Sequence, residues 1–538
     1  MRKILTVLSV CLVMNVFAAG QTPERPKLVI GLVVDQMRWD FLYRYSSKYS
    51  ENGFNRLLRE GFSCENTHYN YVPTNTAPGH TCVFTGSVPA VHGIISNEWY
   101  DRQLKREIYC ASDTGFYGLP VDSKNTRMSP RRMYSSTIGD ELRISGLYDS
   151  KVIGIAIKDR SSIYPAGHAA NAAYWFDGGR WSTSSYYMKQ LPDWVKNQNA
   201  QLEKDKDAQK LWKTLLDLEK YHESTADSVS WEGLFKGEKA SVFPHDVSNE
   251  LADGINVFRN LPYGNTMTLN MAKACIEAEN MGKDDITDLL TISLSTTDAL
   301  GHMFGPNSVE VEDMYIRLDA ELASFLQYLD MKVGKGNYLF FMTADHGAAN
   351  NATFLNSLKV PGGNLNGDKL IPKIQEHLKN TVGEGKFIES FSNQQVFFTE
   401  EVLKDEDKRE QVTSELVSFL LKQEGIAGVY DLHDLEAGSC REDLLEKLLN
   451  SRFMKRSGDV YIELLPQWVE GYVKGTTHGS GYRYDTHVPL VFFGWGISAG
   501  KDVEEHAVAD IAPTVSMLLH IQEPSGCVGK VIESLWER

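Results

Sequence analysis

Four short apolar runs, each leading directly into residues that can hold a metal ion or an anion, constrain this chain more than any other feature. Lys27-Leu-Val-Ile-Gly-Leu-Val-Val ends in Asp35, and Lys151-Val-Ile-Gly-Ile-Ala-Ile leads to Lys158-Asp-Arg160. Asp288 to Leu294 is followed by Ser-Thr-Thr-Asp298-Ala-Leu-Gly-His302, and Asn337-Tyr-Leu-Phe-Phe-Met-Thr-Ala by Asp345-His346. Runs this continuous fit strands buried on both faces, as in a parallel sheet. Open α/β sheets bind ligands at the carboxyl ends of their strands. The expected fold is therefore α/β, with a mostly parallel central sheet and helices on both faces. Val488 to Gly496 reads as a further strand, and the stretch from Ala509 to Leu519 as a closing helix.

Between the first two runs lies Pro73-Thr-Asn-Thr-Ala-Pro-Gly-His-Thr-Cys-Val-Phe-Thr-Gly86. Pro78 suits the first turn of a helix, where its missing N–H would be unpaired anyway. Thr76 then stands at a helix N-terminus, where free N–H groups and the macrodipole favour an anion. A hydroxyl there can attack once a metal lowers its pKa. Taken alone, Thr76 reads first as a helix cap, and the possible metal ligands elsewhere in the chain change that reading.

The other candidates carry similar pairs of readings. Asp35 is a ligand by position or a cap after its strand. Asn97 is an amide donor soon after the Thr76 helix or a turn residue. Lys158 and Arg160, two apart, share a face of an extended backbone and suit a phosphoryl group, or form a solvated pair. Asp298 and His302 face the same way on a helical turn. Asp345 and His346 are adjacent, so they meet one ion only where their strand has ended. A late loop, Gly475 to His487, carries His478 and His487. Carboxylate and imidazole ligands without a thiolate suit zinc ahead of manganese or iron. Seven ligands (Asp35, Thr76, Asp298, His302, Asp345, His346 and His478) suit two ions, and paired metals suit in-line displacement.

The balance of 55 Lys and Arg against 71 Asp and Glu, a net charge of −16, argues against a nucleic-acid or anionic-membrane binder. An anionic substrate is still compatible, because a bound metal inverts the local field. Residues 1–20 read as a signal peptide: Arg2 and Lys3 precede an apolar run from Ile4 to Val13, too short to span a bilayer. The protein is thus expected to be exported, periplasmic or secreted, with residues 21–538 forming the catalytic domain. Six cysteines follow that segment without a Cys-x-x-Cys pair, which argues against a cysteine zinc site. Inserted lobes are expected near 175–250, rich in aromatic residues, and near 350–470, where helical and extended patterns alternate.

The ordered set of strand-Asp35, Thr-Ala-Pro-Gly-His, Thr-Gly-x-x-Pro-x-x-His-Gly, Asp298-x-x-x-His302, Asp345-His346-Gly and His478-Gly resembles the alkaline phosphatase superfamily, in its type I phosphodiesterase/nucleotide pyrophosphatase-like branch. With Asn97 and Lys158-Asp-Arg160 it is similar to the PafA-type phosphate-irrepressible alkaline phosphatases, exported bacterial phosphomonoesterases with two zinc ions. The resemblance implies one zinc on Asp35, Thr76, Asp345 and His346 and a second on Asp298, His302 and His478. It implies that Thr76 attacks phosphorus to give a phosphothreonine, while Asn97, Lys158 and Arg160 hold the non-bridging oxygens. His487 is the alternative to His478 as the late ligand. The expected activity is hydrolysis of small-molecule phosphate monoesters by a monomer, since two cations can neutralise the charge that a diester lacks. A phosphodiesterase or nucleotide pyrophosphatase on the same scaffold is the alternative, and a non-catalytic zinc-binding protein a third reading. A sulfatase would place a modifiable Cys or Ser before Pro and Arg, which this chain does not.

Overall fold

The computed structural model describes residues 24–536, so the signal-type segment at 1–20 lies outside the described residues. Strand β1 (Leu28–Val34) is buried along its whole length, as its unbroken apolar sequence requires. It is followed by β2 (Phe62–His68), helix α1 (Thr76–Thr85), the short β3 (Gly118–Leu119), β4 (Val152–Ala156) and helix α2 (Asp159–Ala166). Then come β5 (Ala172–Asp177), β6 (Arg180–Ser184), β7 (Asp288–Leu294), helices α3 (Thr296–Phe304) and α4 (Val309–Leu329), and β8 (Tyr338–Thr343). The later chain adds β9 (Ile388–Ser392), β10 (Gln395–Phe398), β11 (Ile426–Asp431), β12 (Val460–Leu464), β13 (His487–Val488), β14 (Leu490–Gly494) and β15 (Gly500–Ala507).

One sheet runs β13–β2–β14–β8–β1–β7–β4–β5–β6–β3, with β15 paired to β2. Its centre, β8–β1–β7–β4–β5, is parallel, while β14 and β6 run antiparallel on either side. The four apolar runs are four neighbours of that parallel centre, so their carboxyl ends lie side by side. Two aromatic-rich strands that composition grouped with an inserted lobe, β5 and β6, complete this sheet; Trp175 and Trp181 are buried in it.

The segment between Gly363 and Glu470 builds its own four-stranded sheet, β9–β10–β12–β11, under two long helices, Gly367–Thr381 and Glu406–Leu420. Leu370, Ile374, Leu378, Val412, Leu416 and Val460 close a separate core there. The lobe's β9–β10 turn carries Asn393 and Gln394 at φ 55° and 60°, the left-handed pair expected of a tight hairpin. That turn reaches back to the N-terminus of α1.

The extended-backbone argument for Lys158 and Arg160 is corrected by the structure. β4 ends at Ala156, Lys158 is the extended residue before α2, and Arg160 already lies in the first turn of that helix. The two cations are brought to one place by a strand-to-helix turn, not by strand periodicity.

Candidate metal and phosphoryl site

Each strand end delivers its residues to one place. Asp35, Asp345 and His346 bring ligand atoms within 4.8 Å of one another, and Asp298, His302 and His478 do the same. His302 follows Asp298 by one turn of α3, with Nε2 3.1 Å from Asp298 Oδ1. The rings of His346 and His478 stack with centroids 3.4 Å apart, so the two groups adjoin. His487 lies elsewhere: it stacks on Trp39 and His68, and its Nε2 meets the Glu65 carbonyl at 2.9 Å.

Thr76 opens α1, preceded by Asn75 in an extended conformation. Gly79 lets this helix end sit against β8: a Cβ there would come 2.3 Å from the Asp345 carbonyl oxygen. Thr76 Oγ is 3.3 Å from Lys158 Nζ. Lys158 Nζ lies 2.7 Å from Asp35 Oδ2 and 2.6 Å from Asp298 Oδ2, so it joins the hydroxyl to both groups. Asn97 accepts from the Ala77 N–H through Oδ1 at 2.9 Å, which leaves its Nδ2 as the group able to donate beside Thr76. Arg160 donates to the Tyr109 hydroxyl at 3.0 Å, and that hydroxyl donates to Asp159 at 2.5 Å.

The electrostatics suit cations. Burial, reinforced by Asp345, raises Asp35 well above the usual carboxylate range, and burial pushes Asp345 up to about 7. Burial also raises the ionisation cost of Asp298, but His302 and Lys158 outweigh it and hold that carboxyl low. Burial, with His302 adding, lowers His478 to about 3, and burial with His478 keeps His346 low, so both imidazoles are neutral and can ligate. Asp35 Oδ1 and His346 Nε2 are buried without a hydrogen-bond partner, while Asp35 Oδ2 has the Lys158 ammonium and Asp345 Oδ2 the His80 imidazole beside it. Buried polar groups are normally paired. Convergent carboxylate and imidazole lone pairs, short of donors and without thiolate, fit a divalent metal of the zinc kind.

Sequence reasoning missed several residues that shape the site. Gln36, directly after Asp35, has φ 64° and is buried. Its N–H donates to Asp345 Oδ1 at 3.1 Å and its Nε2 to Asp298 Oδ1 at 2.8 Å, so it spans the two groups. His80 is buried between the Thr76 carbonyl and Ser293 Oγ, and burial lowers it to about 4. Asp485 accepts from Gly479 N–H, Ser480 N–H and Ser480 Oγ, bracing the His478 loop. Asn393 from the lobe accepts from Ser96 Oγ at 2.7 Å, beside Asn75. A polar residue next to a strand-end acid was the one available signal at Gln36; Asp485 braces its own loop from five and six positions away, while His80 and Asn393 also rest on contacts across hundreds of residues.

Residues 29–487 match the model of the type I phosphodiesterase/nucleotide pyrophosphatase family. The chain belongs to that family. Among its relatives, the alkaline phosphatase PhoV of Synechococcus elongatus is 45% identical over 96% of this chain and 94% of its own length. The alkaline phosphatase PafA of Elizabethkingia meningoseptica is 45% identical over 98% of both chains. A protein of Myroides odoratus named a calcium-transporting ATPase is 45% identical over 97% of this chain and 96% of its own. The crystal structure of wild-type PafA superposes with a TM-score of 0.92 at 44% identity, covering 96% of this chain and 99% of that one. This family member therefore shares its central sheet, helices and lobes with a solved alkaline phosphatase. No helix among the described residues is long and apolar enough to cross a membrane.

Proposed function

We propose that this chain is an exported phosphomonoesterase of the alkaline phosphatase kind, dependent on two zinc ions and acting through Thr76. The observation that carries the reading is Lys158: its ammonium stands 3.3 Å from Thr76 Oγ and bridges carboxylates of both metal-ligand groups. The 45% identity to alkaline phosphatases over nearly the whole chain supports the ester-hydrolase class.

Asp35, Thr76, Asp345 and His346 would hold one ion, and Asp298, His302 and His478 the other. A metal pair bound there supplies a lowered pKa for hydroxyl and water and a counter-charge for the attacking and leaving oxygens. Thr76 Oγ, at the N-terminus of α1, forms a bond to phosphorus as the bond from phosphorus to the alcohol oxygen breaks, giving a phosphothreonine. Water then attacks phosphorus and Thr76 Oγ leaves with its proton restored. Lys158, Arg160 and the Asn97 amide hold the non-bridging oxygens, where charge-assisted donors placed in advance favour the transition state. Tyr109 holds Arg160 in place for that task.

The second reading, a phosphodiesterase on this scaffold, needs room for a second ester group where Lys158 and Arg160 stand. Steady-state kinetics on a matched monoester and diester, before and after chelation, separate the two. A zinc-restored preference for the monoester supports the proposal. Lys158→Ala with Arg160→Ala should then erode monoesterase activity far more than diesterase activity. Equal losses on both esters refute the role given to these cations.

A further inference from the structure

A cavity of about 530 Å3 opens directly behind the phosphoryl grip, sharing Lys158 and Arg160 with it. Its volume lies within the ~300–1,000 Å3 typical of small-molecule sites. Its lining includes the apolar Ile108, Met128 and Trp175 and a third guanidinium or ammonium group, Arg259, with Arg106 and Lys124 exposed. This concentration of cations stands out in a chain of net charge −16.

The acids around the cavity already have donors. Asp159 accepts from the Tyr109 hydroxyl and the Arg160 N–H, Asp177 from Asn125 Nδ2, and Glu107 from Ser390 Oγ. The two guanidiniums do not have acceptors to match. Arg259 donates once, from Nη2 to the Phe176 carbonyl at 3.0 Å, and its Nε is buried without a partner. Arg160 Nε is also buried and unpartnered. Neither has a carboxylate within salt-bridge distance among the described residues. Burial, with Arg160 adding, outweighs Asp177 and Asp159 and keeps the Arg259 pKa below its ordinary value, as expected for a cation whose counter-charge the fold does not supply. A half-buried guanidinium with free N–H groups is a donor site that suits a carboxylate or phosphate.

We propose that this cavity is a substrate subsite in which Arg259 takes a second anionic group, so that the enzyme selects phosphate monoesters whose alcohol part also carries a carboxylate or a second phosphate. The inference rests on the phosphomonoesterase reading above. Arg160 would hold the reacting phosphoryl group and Arg259 the second anion, with the short carbon skeleton against Ile108, Met128 and Trp175.

The test compares O-phosphoserine with O-phosphoethanolamine, which differ by one carboxylate. Loss of a charge-assisted bond predicts that Arg259→Ala and Arg259→Gln lower the ratio of kcat/KM for phosphoserine over phosphoethanolamine about tenfold or more. Arg259→Lys should restore part of that ratio, because it keeps the charge without the fork. An unchanged ratio overturns the proposal, whether both rates fall together, as for a residue that only positions Arg160, or neither falls. Calorimetric titration of the two esters into Thr76→Ala protein, with and without Arg259→Ala, reads the same selectivity without turnover. If the wild-type chain hydrolyses neither ester, the phosphatase reading fails while this titration still decides the subsite. Equal affinities for the two esters in the Thr76→Ala background overturn it.

Discussion

Gln36 gives the sharpest test of how the two metal-ligand groups are held. Its side-chain amide donates to Asp298 Oδ1 at 2.8 Å, while its backbone N–H donates to Asp345 Oδ1 at 3.1 Å. Side-chain replacement removes the first bond and keeps the second. A hydrogen bond to a charged acceptor contributes about 1.5–3 kcal/mol. Loss of such an outer partner of a metal ligand typically costs about 10–100-fold in metal affinity. Gln36→Ala should therefore weaken the ion at Asp298, His302 and His478 by at least about tenfold, and leave the ion at Asp35, Asp345 and His346 near its original affinity. Gln36→Gly separates this from backbone strain. The residue sits at φ 64°, a conformation that costs a non-glycine residue about 1–2 kcal/mol. Glycine should recover stability lost in Gln36→Ala yet show the same metal defect. Gly301→Ala offers a cross-check, since its Cβ would fall 1.9 Å from Gln36 Oε1 and push the amide away. The assay is metal content by plasma emission spectrometry during titration with a graded chelator, with thermal melting alongside. If Gln36→Ala loses both ions in parallel, or neither, the reasoning that Gln36 serves the second group is refuted.

Two further predictions concern stability and placement. Burial, with Glu310 adding, outweighs a Ser241 hydrogen bond and pushes the buried Glu232 carboxyl up to about 9 from an ordinary 4.5. The folded state then holds one proton more than the unfolded chain between those values, so stability falls as pH rises, by about 2 kcal/mol from pH 7 to pH 9. Glu232→Gln should flatten that slope and raise the melting temperature at pH 9 by about 2 °C for a chain this long; an unchanged slope would show that Glu232 is not the group titrating. Gly79→Ala should separate α1 from the end of β8, because its Cβ would lie 2.3 Å from backbone at Asp345. We expect about 1–3 kcal/mol lower stability and a kcat reduced by up to about 100-fold, while a variant melting and turning over like wild type would disprove the close approach.

The part of this site readable from sequence is the part that parallel-sheet physics makes local. A strand buried on both faces must be continuously apolar, so the first polar residues after it mark its end. Asp35, Asp298 and Asp345 were visible for that reason, and His302 and His346 through their spacing to those acids. Lys158 and Arg160 were visible as cations, but their shared direction came from the turn into α2 and not from strand alternation. The strands from Ala172 to Ser184 were obscured because edge-side aromatics such as Tyr174, Trp175 and Trp181 give a composition unlike the central runs. The roles of Gln36 and Asn393 were illegible for a different reason. Gln36 meets Asp298 across 262 positions, and Asn393 meets Ser96 across 297. No local pattern encodes such pairs; they exist only once the sheet has placed the strand ends and the lobe has docked its hairpin.

The charge balance at the strand ends argues for the metals independently of the ligand types. Asp35, Asp298 and Asp345 contribute three carboxylates where Lys158 and Arg160 contribute two cations. With all three carboxylates ionised the acids outnumber those two cations by one, and burial sets that full ionisation against Asp35 and Asp345. Lys158 lies between Asp35 and Asp298 and within reach of Thr76 Oγ. Two divalent ions would make the same set three charges positive and satisfy the carboxylates that now occupy Lys158. The ammonium, already 3.3 Å from Thr76 Oγ, would then be free to meet the oxygens of a phosphoryl group. The raised carboxyl pKa values of Asp35 and Asp345 have the same cause: buried acids crowded together favour protons until a stronger cation replaces them. A divalent pair would answer both the convergence of buried acids and the position of Lys158, which gives the fold a reason to gather these carboxylates and imidazoles at the ends of strands and at one loop.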